Sequence, residues 1–183
     1  MVFVFVDIVY PCFYNDCLKY FFVVCIAVYS FIYGDTLLFL AEACILPADY
    51  MLLFTYSYEL GVAFFCAAMY VFILRNGRNN SFLIPPIAFL LIFAVNKTGV
   101  PSVYLIYACL FYYHIFILYK LKKTETFISF IPFALCDILV AANYINPSPA
   151  IRPFIWMFYG ISQMLIFTGG IQKKQCILRY RQN

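Results

Sequence analysis

Long apolar stretches separated by short polar connections dominate this chain. Most are close to the roughly 20 residues that a helix needs to cross a hydrocarbon core of about 30 Å. They lack the alternation of polar and apolar positions that a membrane β-strand requires. Six stretches predict six helical spans, at residues 18–41, 51–74, 82–95, 101–119, 126–143 and 153–171. The pattern therefore predicts an all-α fold, a polytopic transmembrane helix bundle.

Both ends of the chain differ from the spans. The first segment, residues 1–17, is apolar, but it is too short to cross a bilayer and Pro11 interrupts it. It is either a half-span or an interfacial helix, and it lacks the basic start and small-residue cleavage site of a secretory signal. The last segment, residues 172–183, predicts a basic cytoplasmic tail. Because no linker divides the chain, residues 1–183 are predicted to form a single integral membrane domain.

Composition supports membrane insertion and excludes a soluble domain. Of 183 residues, 66% are apolar and only 11% are charged, which is too little charge to cover a soluble surface. The net charge of +4 does not indicate nucleic-acid binding, because the Lys and Arg residues lie almost wholly between the apolar stretches. These positions act instead as signals of membrane orientation.

The distribution of positive charge predicts the orientation. With six spans, ten basic residues fall on the side that precedes the first span, and only Lys97 and Arg152 fall on the other. The positive-inside rule makes the basic side cytoplasmic. Both termini are therefore predicted to be cytoplasmic. The ten residues are Lys19, Arg75, Arg78, Lys120, Lys122, Lys123, Lys173, Lys174, Arg179 and Arg181.

Four polar residues lie inside predicted spans, where an ionisable side chain normally faces the bundle interior and has a partner. They are Asp35, Glu59, Asp137 and Gln163. At 1.5 Å per residue their predicted depths from the non-cytoplasmic side are roughly 9, 12, 9 and 15 Å. Because four helices bring polar groups to a similar level, we predict a polar cavity inside the bundle. The alternative for each residue is a structural role, such as capping a helix.

Local spacing adds tyrosines to this set. Tyr56 lies close to Glu59 on one helix face, and Tyr159 and Gln163 are four residues apart, so they share a face. Two carboxyl groups close together in a low dielectric cannot both ionise, so one serves as an acid and the other as a base. These residues therefore provide the functional groups that acid-catalysed hydrolysis needs.

Other chemistries have little support in the sequence. His114 is the only histidine, and we interpret it as structural or as lining a cavity mouth, with a proton relay as the alternative. The eight cysteines are scattered and form no CxxC, so they indicate neither a metal site nor a disulfide set. Serine-hydrolase, zinc-protease and P-loop motifs are absent. No metal and no organic cofactor are predicted.

Several stretches resemble the YhhN family, the TMEM86-type lysoplasmalogenases. YSFIYGDTLLFL is similar to the family's Gly-Asp pattern, and FISFIPFALCDILVAANYI is similar to its Ser-Asp helix, with Cys136 in place of the serine. FYGISQMLIFTGG and PSVYLIYACLF resemble two further family segments. The matches occur in family order and cover about residues 18–171.

The resemblance implies hydrolysis of the vinyl ether bond of lysoplasmalogens. In this resemblance Asp35 and Asp137 correspond to the family's two aspartates, and Gln163 matches the glutamine of its last helix. We therefore predict that Asp35 and Asp137 form the acid–base pair. Residues that orient substrate, water or the pair are then predicted from the polar cluster: Tyr56, Glu59, Tyr159 and Gln163. The implied partners are a lysophospholipid substrate and membrane lipid, and the implied location is a reticulum-type membrane. Neither the head group nor the oligomeric state follows from the resemblance.

The chain also departs from the family. It lacks most of the first two of the family's eight spans, and the helix after the Gly-Asp pattern lacks the family's histidine. Either Glu59 replaces that histidine or the activity is lost. Two alternatives therefore stay open: a catalytically inactive YhhN-fold protein that binds lipid or a membrane partner, and a small transporter or channel.

Overall fold

The computed structural model describes residues 13–77 and 102–182, with side chains over 16–77 and 102–169. Throughout these ranges the chain forms helices joined by short connections, with no strand. The prediction of an all-α bundle is therefore confirmed. The helices are α1 (Phe13–Tyr33), α2 (Thr36–Tyr50), α3 (Tyr58–Asn76), α4 (Ser102–Lys120), α5 (Thr124–Ile145) and α6 (Arg152–Gln182), with a π-helical turn at Met51–Thr55 after α2.

Many of these helices meet the length and apolarity of membrane spans. Five segments of the described ranges do so: Asp16–Tyr33, Thr36–Thr55, Tyr58–Asn76, Ser102–Lys120 and Thr124–Ile145. In a bilayer a helix satisfies its own backbone hydrogen bonds, which an isolated strand cannot do. The chain is therefore an integral membrane protein.

A break at Gly34 and Asp35 divides the first predicted span. A Cβ on Gly34 would lie 2.4 Å from the carbonyl oxygen of Ser30, so the close backbone approach requires glycine. Asp35 follows in an extended conformation as the N-cap of α2, and its side chain accepts a hydrogen bond from the Leu38 N–H. The prediction of one helix over 18–41 is therefore wrong, because local cap chemistry overrides a continuous apolar pattern.

The other predicted spans agree with the structure to within a few residues where it describes them. The spans at 101–119, 126–143 and 153–171 lie in α4, α5 and α6. The span at 51–74 corresponds to the π-helical turn and α3. The span at 82–95, and most of the predicted N-terminal half-span at 1–17, fall outside the described residues. The backbone of the predicted tail at 172–183 is helical to Gln182, because α6 continues to that residue.

The chain divides into two compact units, each considered by itself. The first comprises residues 1–26 and 124–183, and the second comprises residues 27–123. In the first unit α5 packs along α6, and in the second α3 packs along both α2 and α4. The close fit of α3 against the end of α2 and the π-helical turn depends on Gly61, since a Cβ there would lie 2.9 Å from the Leu52 side chain and 3.2 Å from the Ala48 carbonyl oxygen.

Candidate functional site

The second unit holds a partly buried ion pair at the N-terminal end of α2. Asp35 accepts hydrogen bonds from the Leu38 N–H and from Nε of Arg75, each at 2.8 Å. The side chain of Arg75 is only 6% exposed, whereas that of Asp35 is 38% exposed. Because both contacts use the carboxyl group as an acceptor, Asp35 is held here in an oriented, charge-paired position.

A row of acidic residues continues from Asp35 along α2. Glu42 and Asp49 follow at intervals of seven residues, close to two helical turns, so all three share one face. Glu42 has no exposed surface, and Asp49 is 3% exposed. Neither side-chain oxygen of Glu42 has a hydrogen-bond partner among the described residues. Glu42 lies within electrostatic range of Asp49 and Arg75.

A second polar contact lies at the C-terminal end of α3. The Asn76 side-chain nitrogen is 3.2 Å from Nε2 of His114, and both residues are buried. Phe72 stacks on the histidine ring at a centroid distance of 6.0 Å. Lys123, in the connection after α4, donates a hydrogen bond of 2.6 Å to the Asn76 carbonyl oxygen. His114 therefore joins α4 to the end of α3, which agrees with its structural interpretation.

The connection that carries Lys123 has a specific backbone geometry. Lys122 has φ 53°, in the left-handed region. The Lys122 N–H bonds to the Tyr119 carbonyl and the Lys123 N–H bonds to the Leu118 carbonyl, which is the paired pattern of a Schellman motif. This turn ends α4 and fixes the direction in which Lys123 leaves the helix.

The first unit contains the remaining predicted residues of α5 and α6. Phe133 of α5 contacts Tyr159 of α6 at a ring-centroid distance of 6.0 Å. Asp137 lies four residues after Phe133 and is half-buried. Gln163 lies four residues after Tyr159 and is fully buried, and its amide atoms have no hydrogen-bond partner among the described residues. Consecutive helices joined by a short connection run antiparallel. Asp137 and Gln163 therefore lie on two antiparallel helices of the same unit.

The same unit also holds a buried cation, Lys19. The Lys19 ammonium lies 4.9 Å from the centroid of the Trp156 ring and 3.2 Å from Asp16. Its side chain is 5% exposed. This arrangement satisfies a buried lysine with one carboxylate and one aromatic face.

Two predicted substrate-binding residues lie at the surface of the second unit. Tyr56 is 66% exposed and has φ 53°, just after the π-helical turn. Glu59 is exposed in the first turn of α3. The buried face of that helix is largely apolar, including Phe65, Ala68 and Met69.

The predicted depth of Asp35 is wrong. The sequence placed it inside a helix, in the membrane half away from Arg75 and Lys123. The structure places it at a helix end, in contact with Arg75. The physical reason is the break at Gly34, where α1 ends and α2, the helix that packs along α3, begins. The predicted pairing of Asp35 with Asp137 stays a prediction, because the two residues belong to different units.

Sequence reasoning missed Glu42 and Asp49, because residues 42–50 looked like a polar connection. The spacing of the apolar residues, however, indicated a helix. Apolar positions at 38, 41, 45 and 48 follow a helical period and continue past Asp35. Read as a helix, this segment places Glu42 and Asp49 on the same face as the buried Leu38 and Ile45.

The described residues contain no group of three or more His, Cys, Asp or Glu side chains that could hold a metal ion. Comparison of the chain with protein-family models, curated proteins and solved structures finds no match. The resemblance to the YhhN family therefore rests on the motifs in this sequence.

Proposed function

We propose that this chain is a membrane hydrolase of the lysoplasmalogenase type, which cleaves the vinyl ether bond of a lysoplasmalogen by carboxyl acid–base catalysis. The observation that carries the proposal is the setting of Asp35. The aspartate of the Gly-Asp pattern caps a helix at a break in an apolar bundle, and the buried Arg75 holds it in place at 2.8 Å. A carboxylate fixed by a cation and a backbone N–H is preorganised for chemistry.

The reaction needs a proton donor and a carboxylate in different roles. Protonation of the β-carbon of the vinyl ether gives an oxocarbenium ion, which a carboxylate stabilises. Water then adds with general-base assistance, and the hemiacetal collapses to a fatty aldehyde and a glycerophospho-base. Because the observed contacts of Asp35 use its oxygens as acceptors, we assign Asp35 as the stabilising carboxylate and base. Asp137 is then the proton donor.

The remaining residues are assigned to substrate and water. Gln163 offers an enclosed amide without a partner among the described residues, which suits hydrogen bonding to water or to the glycerol backbone. Tyr159 lies one turn away on the same face of α6. We assign Tyr56 and Glu59, both exposed, to contact with the lipid as it enters from the bilayer.

A non-catalytic role is the second candidate, and a specific observation favours it. The α3 helix is the segment in which the resemblance calls for a histidine, yet it has none and its buried face is largely apolar. Glu59, the predicted replacement, is exposed in the first turn. Such a protein would bind lipid or a membrane partner without cleaving it.

The orientation in the membrane is a further part of the proposal. Arg75, Lys120, Lys122 and Lys123 lie at the ends of α3 and α4 that the Lys123–Asn76 contact brings together. By the positive-inside rule we assign this end of the second unit to the cytoplasm. The prediction that both chain termini share that side depends on residues 18–41 forming one span, and the break after Tyr33 adds a crossing. We assign the protein to a reticulum-type membrane, as the family resemblance implies.

Aldehyde release from a synthetic lysoplasmalogen tests the proposal. The full chain is purified in detergent and compared with Asp35→Asn and Asp137→Asn, with Glu125→Gln as the control because that carboxyl is exposed. We expect each aspartate variant to lose activity by about 100-fold or more, the usual effect of removing an acid–base group. The control should keep the rate of the natural sequence.

Two results would contradict the assignment. Full activity in either aspartate variant removes that residue from the mechanism. A folded natural chain that releases no aldehyde, but retains lysophospholipid in a binding assay, favours the non-catalytic candidate.

A further inference from the structure

We propose that the C-terminal end of α4 binds an anionic phospholipid, with the lipid phosphate at Lys120 and Lys122 and an acyl chain along Tyr112, Phe116 and Tyr119. These five residues, all exposed, are called the α4 lipid surface. The lipid is one that the protein binds from the membrane and does not cleave. The inference rests on the assignment of this end to the cytoplasm, and its test uses no aldehyde release, so it and the proposed reaction can fail separately.

The first step is the exposed aromatic face of α4. Tyr112, Phe116 and Tyr119 are each more than half exposed, and spacings of four and three residues place them on one side of the helix. Because α4 has the length and apolarity of a membrane span, lipid acyl chains can contact this side. Tyr119 lies in the last turn of α4, and tyrosine is enriched where the hydrocarbon core meets the head groups. The aromatic face therefore ends near the level of the lipid phosphates.

The second step is the positive charge at that level. Lys120 is the last residue of α4 and Lys122 lies in the turn that follows, and both are exposed. Neither lysine forms an ion pair with a residue that the structure describes. A lysine in this position keeps its alkyl stem on the apolar surface and its ammonium group in the head-group region. Two adjacent cations therefore lie beside the aromatic face.

The third step concerns the acidic residues of the second unit. The sequence of residues 27–123 contains four of them. One pairs with Arg75, two are buried on α2, and the last lies in the first turn of α3, at the opposite end of that helix from Asn76. In that order they are Asp35, Glu42, Asp49 and Glu59. An anion from outside the unit is therefore the natural counter-charge for Lys120 and Lys122.

The fourth step is the turn that carries these lysines. Unpaired carbonyl groups at a helix C-terminus attract lysine side chains. Here the carbonyls of Leu118 and Tyr119 accept hydrogen bonds from backbone N–H groups of the turn. The Asn76 carbonyl accepts one from the Lys123 ammonium. Because these carbonyls already have donors, they do not compete with an anion for Lys120 and Lys122.

The neighbouring aromatic face identifies the anion as a lipid. An anion with an apolar chain contacts both parts of the α4 lipid surface, whereas a soluble phosphate contacts only the lysines. Anionic phospholipids are concentrated in the cytoplasmic leaflet, and juxtamembrane lysines bind them. Each lysine near such a membrane surface typically strengthens binding by about fivefold.

Native mass spectrometry of the full chain in a non-ionic detergent tests the proposal. The chain is titrated with phosphatidylserine and, separately, with phosphatidylcholine of identical acyl chains. We expect the natural chain to bind phosphatidylserine at least tenfold more tightly. Lys120→Gln and Lys122→Asn should each weaken phosphatidylserine binding by about fivefold and leave phosphatidylcholine binding unchanged. Asparagine tolerates the left-handed conformation of residue 122, so the turn is retained.

Two controls separate this surface from charge in general. Arg152→Gln removes one exposed cation of the first unit, and it should bind both lipids as the natural chain does. Inorganic phosphate in large excess should not displace phosphatidylserine, because it has no acyl chain. Circular dichroism of each variant in the same detergent confirms that the helices are retained.

Four outcomes would overturn the proposal. The natural chain could bind the two lipids equally. The double variant Lys120→Gln/Lys122→Asn could keep the full affinity for phosphatidylserine. Arg152→Gln could weaken binding as much as either lysine variant, which would indicate net charge and not this surface. Displacement by inorganic phosphate would assign the lysines to a soluble anion.

Discussion

The Asp35–Arg75 pair allows a quantitative test of how the second unit is held together. Asp35→Asn removes the negative charge but retains a side-chain oxygen that can still cap α2 through the Leu38 N–H. The substitution leaves the Arg75 guanidinium, only 6% exposed, without its charged partner. Arg75→Met removes the cation and keeps an apolar stem of similar length.

The two substitutions should differ in cost because the two partners differ in exposure. Loss of one partner from a fully buried ion pair costs about 3–5 kcal/mol. Asp35 is 38% exposed, so solvent screens the pair and we expect about 2–3 kcal/mol for Asp35→Asn. Arg75→Met leaves a carboxylate that water can reach, and we expect about 1 kcal/mol.

A double-mutant cycle measures the coupling between the two residues. Thermal unfolding is followed by circular dichroism in one detergent for the natural chain, both single variants and the double variant. At about 2–4 °C per kcal/mol for a chain of this size, Asp35→Asn should lower Tm by roughly 4–12 °C. The coupling energy should be about 1.5–2 kcal/mol, since the double variant removes both charges together.

Glu125→Gln provides the control, because Glu125 is exposed in the first turn of α5. We expect this substitution to change the stability by less than about 0.5 kcal/mol. Additive single substitutions, with a coupling energy near zero, would refute the reasoning. If Asp35→Asn and Arg75→Met destabilise the protein equally, the difference in exposure between the two side chains does not determine the loss of stability.

Two further predictions concern backbone packing and helix ends. Gly61→Ala should destabilise the chain by about 1 kcal/mol or more because the new Cβ meets Leu52 at 2.9 Å. Gly160→Ala should be neutral or stabilising, because the nearest contact of its Cβ is 3.9 Å away. Equal Tm values for the two variants would contradict this prediction. Lys123→Ala should lower the free energy of unfolding by about 1 kcal/mol, because it removes the donor to the Asn76 carbonyl. Lys120 is exposed, so Lys120→Ala should lower it less, and thermal unfolding of both variants measures the difference.

Several features of the candidate site could be predicted from residue types alone. Asp137 and Gln163 stood out as polar positions in apolar helices, and Gln163 is indeed fully buried. Tyr159 was associated with Gln163 by helical spacing, and the structure buries it in the same unit. Burial of polar groups on a helix face follows from periodicity, which is a local property.

Other features depended on contacts that periodicity does not encode. Arg75 looked like a flank of a span that fixes orientation, yet it forms a partly buried ion pair with Asp35, 40 residues earlier. Glu42 looked like part of a connection, yet it is enclosed. Both errors arose from the same cause, the unrecognised turn at Gly34, where the cap of Asp35 competes with continuation of the helix.

Residue types and their order were enough to predict a helical membrane bundle, since long apolar segments in a bilayer must satisfy their backbone hydrogen bonds internally. It also marked where most helices lie, because length and hydropathy are properties of each segment alone. The enclosure of individual charges and the contacts between them emerged only from the packing of the helices. A single helix break separates α1 from α2, and the energy of a buried charge depends on what lies beside it in space and not along the chain.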